Sequence, residues 1–337
     1  MPVDHSIEDK TRKVKVDAKV EGKTGDLDFG TLKSGGIIKQ RQKDLFTVRL
    51  RCPGGRIPVK KLKKIAKVAE RYGGDYVHLS FRQSLEIPYV HYKNIGQIQK
   101  DLAPVGQQIA SCGARVRVPT ACSGCEYNPN GIMDTQKMTQ LVDQTFFGAA
   151  CHHKFKMSFS GCPIDCARTN EMDLGFQGAV KPRWVEKLCT GCRLCATACS
   201  EGAIDADKKT GQPIYHAAKC LYCGDCIRNC PVDAWVAEDR GWMVRCAGKH
   251  GRHPVNGHKI AEFVSDEDVP KVIQGVLDWY NTKNTGIGRT RITTVLQRPG
   301  KWQSFVKFMK PVLGKYAVKN PVPPTPNEIH FDKRATS

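Results

Sequence analysis

Eight of the chain's sixteen cysteines fall into two runs of one pattern. Residues 189–199 read C-TG-C-RL-C-ATA-C, and residues 220–230 read C-LY-C-GD-C-IRN-C with Pro231 following. Each run is CxxCxxCxxxC. Short spacings of this kind set successive thiolates around one cubane of iron and sulfide, and the fourth Cys of each run ligates the other cube. Cys189, Cys192, Cys195 and Cys230 are therefore expected to hold one 4Fe–4S cluster. Cys220, Cys223, Cys226 and Cys199 are expected to hold a second. A zinc module is the competing reading, but eight Cys in two such repeats rarely mean zinc. The chemistry is electron transfer, and residues 186–235 form the module that performs it.

A second constellation lies upstream, in Lys154 to Cys166 (KFKMSFSGCPIDC). Residues 154–159 alternate polar and apolar, which predicts a strand with one buried face and with Lys154 and Lys156 on the other. Gly161 and Pro163 end that strand. Cys162 and Cys166 follow in a tight turn that leads into a helix. A CxxxC at a strand end can hold two corners of an iron–sulfur cluster. The plainer alternatives are a solvated pair of lysines and two buried thiols.

The elements that must position these residues can be read around them. Residues 1–44 are rich in Lys, Asp and Gly and predict an extended arm. Residues 45–110 predict a small α+β unit: a strand at 45–50, a helix at 58–72 with Val59, Leu62, Ile65, Ala66 and Ala69 on one face, a strand at 75–81, a short strand, and a helix near 92–103. Residues 111–185 and 236–315 form a second α+β domain, interrupted by the cysteine module at 186–235. Its signals are a helix start at Asp134-Thr135 and an amphipathic helix at 266–280. The Pro-rich residues 316–337 predict a second arm.

Composition bounds the rest. The 337 residues suffice for two or three domains. No apolar run approaches the length of a membrane span, and the polar N-terminus carries no secretory signal, so a soluble cytoplasmic protein is expected. In that setting sixteen cysteines argue for metal rather than disulfides. The net charge of +20 first suggests nucleic acid. No nucleic-acid motif accompanies it, and anionic clusters and cofactors offset part of the excess. There is no dinucleotide fingerprint in a strand–turn–helix setting and no flavin motif. Reducing equivalents are therefore expected from another protein.

Residues 46–310 resemble the siroheme-containing sulfite and nitrite reductases. The likeness is to the single-repeat type with an inserted ferredoxin domain, found in anaerobic and dissimilatory sulfite reductase subunits. The motif Gly-Cys162-Pro-Ile-Asp-Cys166, preceded by alternating lysines, carries this likeness, together with Cys122 and the position of the insertion after LGFQGAVKPRW. The resemblance implies an α+β half-repeat, a siroheme, and a third 4Fe–4S cluster whose ligand Cys166 bridges to the siroheme iron. It places Lys154, Lys156, Arg117 and Arg82 (in HLSFRQ) on the family's substrate cations. The implied reaction is six-electron reduction of sulfite to sulfide. The implied donor is a ferredoxin-like or flavoprotein subunit. Nitrite reduction on the same scaffold and a siroheme-less electron-transfer subunit are the alternatives.

One position departs from the family pattern. Six residues after Cys122, where a second Cys is expected, stands Asn128. Cys125 is favoured as the replacement ligand, with Cys112, Cys151 and an incomplete cluster the alternatives. Cys52 and Cys246 read as ordinary buried thiols. Sulfite suits this site because Arg offers a planar fork of donors and Lys a mobile point charge to a sulfur oxyanion. The siroheme carboxylates are assigned more loosely, to Lys249, Arg252, Lys259, Arg49 and Arg51. Lys156 stands about 20 Å before Cys162 along an extended strand, further than a lysine reaches. A symmetric dimer, or pairing with a similar subunit, is therefore expected, with cations of one chain facing the siroheme of the other.

Overall fold

The computed structural model describes residues 28–282 and 288–326. They form two compact units. One extends to Val118 and takes in Phe146–Ala150, and the other comprises Pro119–Thr145 and the chain from Cys151.

In the first unit Asp28 caps a short helix, α1 (Phe29–Ser34), by accepting from the amides of Gly30 and Thr31. Strand β1 (Ile37–Lys39) then pairs with β2 (Leu45–Arg49). The extended arm expected over 1–44 is thus folded across 28–39, because Ile37 finds a buried place on the sheet. Residues 1–27 lie outside the described residues. Helix α2 (Val59–Tyr72), β3 (His78–Leu79), β4 (Leu85–His91) and α3 (Ile95–Leu102) complete the unit. The sheet is antiparallel, in the order β1-β2-β4-β3.

Burial alternates along β2, with Phe46 and Val48 inward. The buried stripe of α2 is Ile65, Val68 and Ala69, while Val59, Leu62 and Ala66, expected on that face, stand exposed. The apolar face begins one turn later than its first two apolar residues suggest. The strand expected over 75–81 shrinks to the two exposed edge residues of β3, with positive φ at Asp75 and Gln83 bending the chain on either side. Cys52 packs into the core with Leu50, Ile65, Ile87, Ile98 and Leu102.

The second unit is built on a mixed five-stranded sheet, ordered β12-β10-β7-β6-β5. Strand β5 (Thr120–Ala121) leads to α4 (Thr135–Phe146), where Asp134 Oδ1 accepts from Lys137 N as its position at the helix start predicts. Strand β6 (Met157–Ser160) then runs parallel to β5 and to β7 (Leu174–Trp184). All four β6 residues are buried. The strand thus begins three residues later than the alternation predicts and has no solvated face. Its place in mid-sheet covers both sides, and Ser158 and Ser160 are interior.

Between β7 and β10 (Trp235–Cys246) the chain makes an excursion through α5 (Leu194–Ala198), β8 (Ile204–Ala206), β9 (Pro213–Tyr215) and α6 (Asp225–Arg228). Strands β7 and β10 form one long antiparallel ladder, from Cys246↔Leu174 to Trp235↔Trp184. The excursion leaves and returns at its far end, where Val185 N donates to Ala234 O at 2.7 Å. It has its own small core of Cys195, Ile204, Cys226 and Trp235.

Strands β11 (Val255–Asn256) and β12 (His258–Val264) follow, then α7 (Val269–Thr282), α8 (Ile292–Leu296), α9 (Lys301–Leu313) and β13 (Thr325–Pro326). The expected face of α7 is buried: Val269, Val272, Ile273, Val276, Leu277 and Tyr280. The arm expected over 316–337 is held in place over its described part. Val318 N donates to Ile260 O, and β13 pairs with β11. Residues 327–337 lie outside the described residues.

Close approach of backbones fixes the end of β6. A Cβ on Gly178 of β7 would stand 2.4 Å from Gly161 O and 2.8 Å from Met133 Cγ, and a Cβ on Gly161 would stand 2.7 Å from Gly124 Cα. Gly178→Ala should therefore push β7 off the turn that carries Cys162 and cost about 1–3 kcal/mol. Chemical denaturation measures it, and an unchanged midpoint would show that the strands are free to separate.

Candidate metal centre and cationic cluster

The cysteine turn begins where β6 ends. Cys162 is buried, and two tight turns follow in place of the expected helix: Asp165 N donates to Cys162 O, and Arg168 N donates to Asp165 O. Asp165 and Arg168 take positive φ, which breaks any helix. The Asp165 carboxylate accepts from Thr169 N and Oγ1 and locks the loop. Cys166 is exposed beyond it.

Cys122 reaches the same place from β5. Its N donates to Phe159 O. Its Sγ faces the amides of Gly161 at 3.1 Å and Gly124 at 3.4 Å. Amides aimed at a sulfur are also the donors that surround the sulfurs of bound iron–sulfur clusters. Burial pushes the Cys162 thiol up, and the neighbouring Cys122 and Cys166 sulfurs push the same way. A bound metal ion reverses that preference outright. Three soft donors thus share one neighbourhood, which suits an iron–sulfur cluster.

The candidates for a fourth ligand are dispersed. Cys125 lies exposed in the loop after Cys122, with its N donating to Met133 O. Asn128, at the family's Cys position, caps a turn by accepting from Asn130 N. Cys151 sits at the far end of β6 from Cys162, and its thiol donates to His153 O at 2.6 Å. Cys112 belongs to the first unit, where Arg49 Nη1 donates to its sulfur.

In the excursion, Cys226 lies within electrostatic reach of Cys220, Cys223 and Cys199, and Cys195 within reach of Cys189. Burial pushes the Cys226 thiol up to about 12 and the Cys223 thiol to about 11. Among the described residues no three Cys, His, Asp or Glu side chains converge as the ligands of a single ion would. A cubane spreads its thiolates more widely than one ion does.

At the other end of β6 the side chains are cationic. Lys154 and Lys156 are half-buried. Lys156 N donates to Oδ2 of the fully buried Asp173 at 2.8 Å, and Arg291 donates to Oδ1 through Nε at 2.8 Å. Asp173 O in turn accepts from Ala247 N. Burial, with Lys154, Arg291 and Arg289 adding to it, depresses His153 to about 4, so it is neutral at pH 7. Burial and Arg291 lower Lys249.

Of the residues expected to meet carboxylates, Lys249 belongs to this cluster. Arg252 lies on an exposed loop, and Lys259 is paired with Glu262. Arg49 is paired with Glu86, and Arg51 lies over the Phe147 ring at 3.8 Å, both in the first unit. Arg82 donates to Val118 O at 2.6 Å and Arg117 to Gly113 O at 3.1 Å, in the same unit.

Three residues escape the sequence reading. Asp173 and Arg291 form a buried ion pair across 118 residues of sequence. Arg245, on β10 between buried Val244 and Cys246, donates to Gln177 Oε1, while Gln177 Nε2 donates to Pro163 O in the cysteine turn. Arg245 Nε is buried without a hydrogen-bond partner among the described residues. A charged residue in the buried stretch 241–246 of β10 is the signal that marks it, and an anionic group beside the turn would satisfy it.

Comparison with known proteins identifies the family and the fold. Residues 112–315 match the nitrite and sulphite reductase 4Fe-4S domain, and residues 38–105 match the nitrite/sulfite reductase ferredoxin-like half domain. The chain is 30% identical over 288 residues to the coenzyme F420-dependent sulfite reductase of Methanocaldococcus jannaschii, covering 85% of this chain and 46% of that protein, so it spans about half the length of that relative. It is 28% identical over 269 residues to an anaerobic sulfite reductase subunit of Salmonella typhimurium, covering 72% of this chain and 79% of the other. Its fold resembles the crystal structure of dissimilatory sulfite reductase I, with a TM-score of 0.65 at 18% identity, covering 82% of this chain and 72% of that one.

The buried ion pair is open to direct test. Arg291→Gln should leave the Asp173 carboxylate buried without its cation and cost about 3–5 kcal/mol in unfolding free energy. Adding Asp173→Asn should recover part of the loss. Equal stability of Arg291→Gln and wild type would show that the carboxylate finds another partner.

Proposed function

The chain belongs to the nitrite and sulphite reductase family, and on that premise we propose that it is the siroheme-bearing chain of a sulfite reductase, forming sulfide. The observation that carries this reading is the gathering of Cys122, Cys162 and Cys166 at one end of β6, with two backbone amides aimed at Cys122. When bound, siroheme coupled to a 4Fe–4S cluster supplies the electrons for cleaving S–O bonds. Cys122, Cys162, Cys166 and Cys125 would hold that cluster, with Cys166 as the bridge to siroheme. Cys125 is preferred because it shares a loop with Cys122, whereas Cys151 is fixed across the length of β6 with its thiol on His153 O. Arg245, with its buried unsatisfied Nε, and Lys249 are the residues that fit the siroheme carboxylates.

Sulfite and its departing oxygens need cations and protons. Lys154 and Lys156 supply both, as donors to the anion and as relays for protons from water. Arg82 and Arg117 are proposed as further anion ligands on the family resemblance. The overall change balances as hydrogen sulfite, six electrons and six protons giving hydrosulfide and three waters. Residues 186–235 are proposed as an inserted ferredoxin-type module with two further 4Fe–4S clusters, fed by a separate ferredoxin or flavoprotein subunit. The extended β6 separates Lys156 from Cys162, which supports a composite site in a symmetric dimer or in a pair with a similar subunit. Among the described residues no helix is long and apolar enough to cross a membrane.

Anaerobically purified protein should show a chlorin band in the red, contain about twelve cluster irons and one siroheme iron per chain, and form sulfide from sulfite faster than it reduces nitrite. About eight irons with no chlorin band would make it an electron-transfer subunit, and faster turnover of nitrite would reverse the substrate.

A further inference from the structure

The excursion and the cysteine turn meet across a small cavity of about 210 Å³. Cys162, Pro163 and Ile164 line one side, and Leu221, Cys223 and Arg228 line the other. The contact is anchored in the sheet: Val180 N on β7 donates to Tyr222 O at 3.0 Å, and β7 is paired with β6, the strand that leads into the turn carrying Cys162. The two cysteine sets of the excursion are therefore not equivalent. Cys223, with Cys199, Cys220 and Cys226 around it, faces the turn. Cys192, of the other set, is exposed between exposed Leu188 and Leu194.

The cavity wall is polarised. Arg228 Nη1 donates to Cys223 O at 3.0 Å, and its Nη2 is ion-paired with Asp225. Asp225 Oδ2 lies 3.2 Å from Cys223 Sγ. The Arg228 charge also reaches Cys162. A guanidinium thus faces the turn while a carboxylate flanks the sulfur of the module. Reduction adds a negative charge, so a nearby cation favours it and a nearby anion opposes it.

We propose that the set Cys199, Cys220, Cys223 and Cys226 is the point at which electrons leave the module for the Cys162 centre, and that the Asp225–Arg228 pair sets the driving force of that transfer. One electron crosses: the centre on the Cys223 side is oxidised and the centre on the Cys162 side is reduced, with no bond made or broken. Arg228 and Asp225 are positioning residues, and the inference rests on the reading that both cysteine sets and the turn hold 4Fe–4S clusters.

The test is a redox titration of the anaerobically purified holoprotein followed by electron paramagnetic resonance, with iron counted in each sample. Arg228→Gln should make the Cys162-side centre harder to reduce, changing the equilibrium across the junction by about tenfold. Arg228→Lys should restore it, because charge rather than fork geometry is at work. Asp225→Asn should shift the Cys223-side centre the opposite way, towards easier reduction. Unmoved potentials at full iron content in Arg228→Gln and Asp225→Asn would overturn the proposal alone, as would shifts confined to the centre held by Cys189, Cys192, Cys195 and Cys230. About four irons per chain in the wild type would overturn the cluster reading beneath it.

Discussion

Strand β6 is tied to β5 through Thr120↔Ser158 and Ala121↔Phe159, and to β7 along its whole length. Phe159 stacks on Phe176 at 4.7 Å, with Trp242 edge-on to both. A strand held on both edges and buried on both faces cannot bend or slip, since a one-residue slip would turn every side chain to the wrong face. It therefore acts as a spacer of fixed length. The cations are placed at its start and the thiols at its end, and the chemistry of each end follows from that separation.

The two ends are stabilised by opposite means. At the start, a buried carboxylate accepts from the backbone amide of Lys156 and is ion-paired with the Arg291 guanidinium. At the end, Gly161 and Gly178 bring backbones together, and the amide of Gly161 is aimed at Cys122 Sγ. A cationic start suits a sulfur oxyanion. An end of backbone amides and soft sulfur suits a metal cluster. The long β7–β10 ladder then carries the excursion beyond the sheet and returns it against the cysteine turn.

The parts of this arrangement legible in the sequence are those encoded locally. The cysteine spacings, the face of α7 and the start of α4 at Asp134-Thr135 are each set by neighbours within a few residues. The α+β class follows from the same local patterns, and the family assignment from the motif around Cys162. The start of β6 is not legible, because alternation in KFKMSF cannot reveal that Ser158 and Ser160 lie in mid-sheet with both faces covered. Nor is the exposed start of α2, since Val59 and Leu62 satisfy the helical period without facing the core. Asp173, Arg291 and Arg245 act through partners distant in sequence, and no local pattern announces such pairs. Nor does the basic run around Lys259 disclose its pairing with Glu262, three residues away on the same strand.

In the proposed composite site, Lys156 of one chain would serve the centre held by Cys166 of another, so that a working site would need two chains. Co-expression of a Lys156→Ala chain with a Cys166→Ala chain, followed by isolation of the mixed dimer, tests this most directly. Each parent should be inactive in sulfite reduction. The mixed dimer should regain one intact site of two and about half of the wild-type activity. Confirmed mixed dimers with no recovered activity would place cations and thiols of one chain in one site and contradict the account.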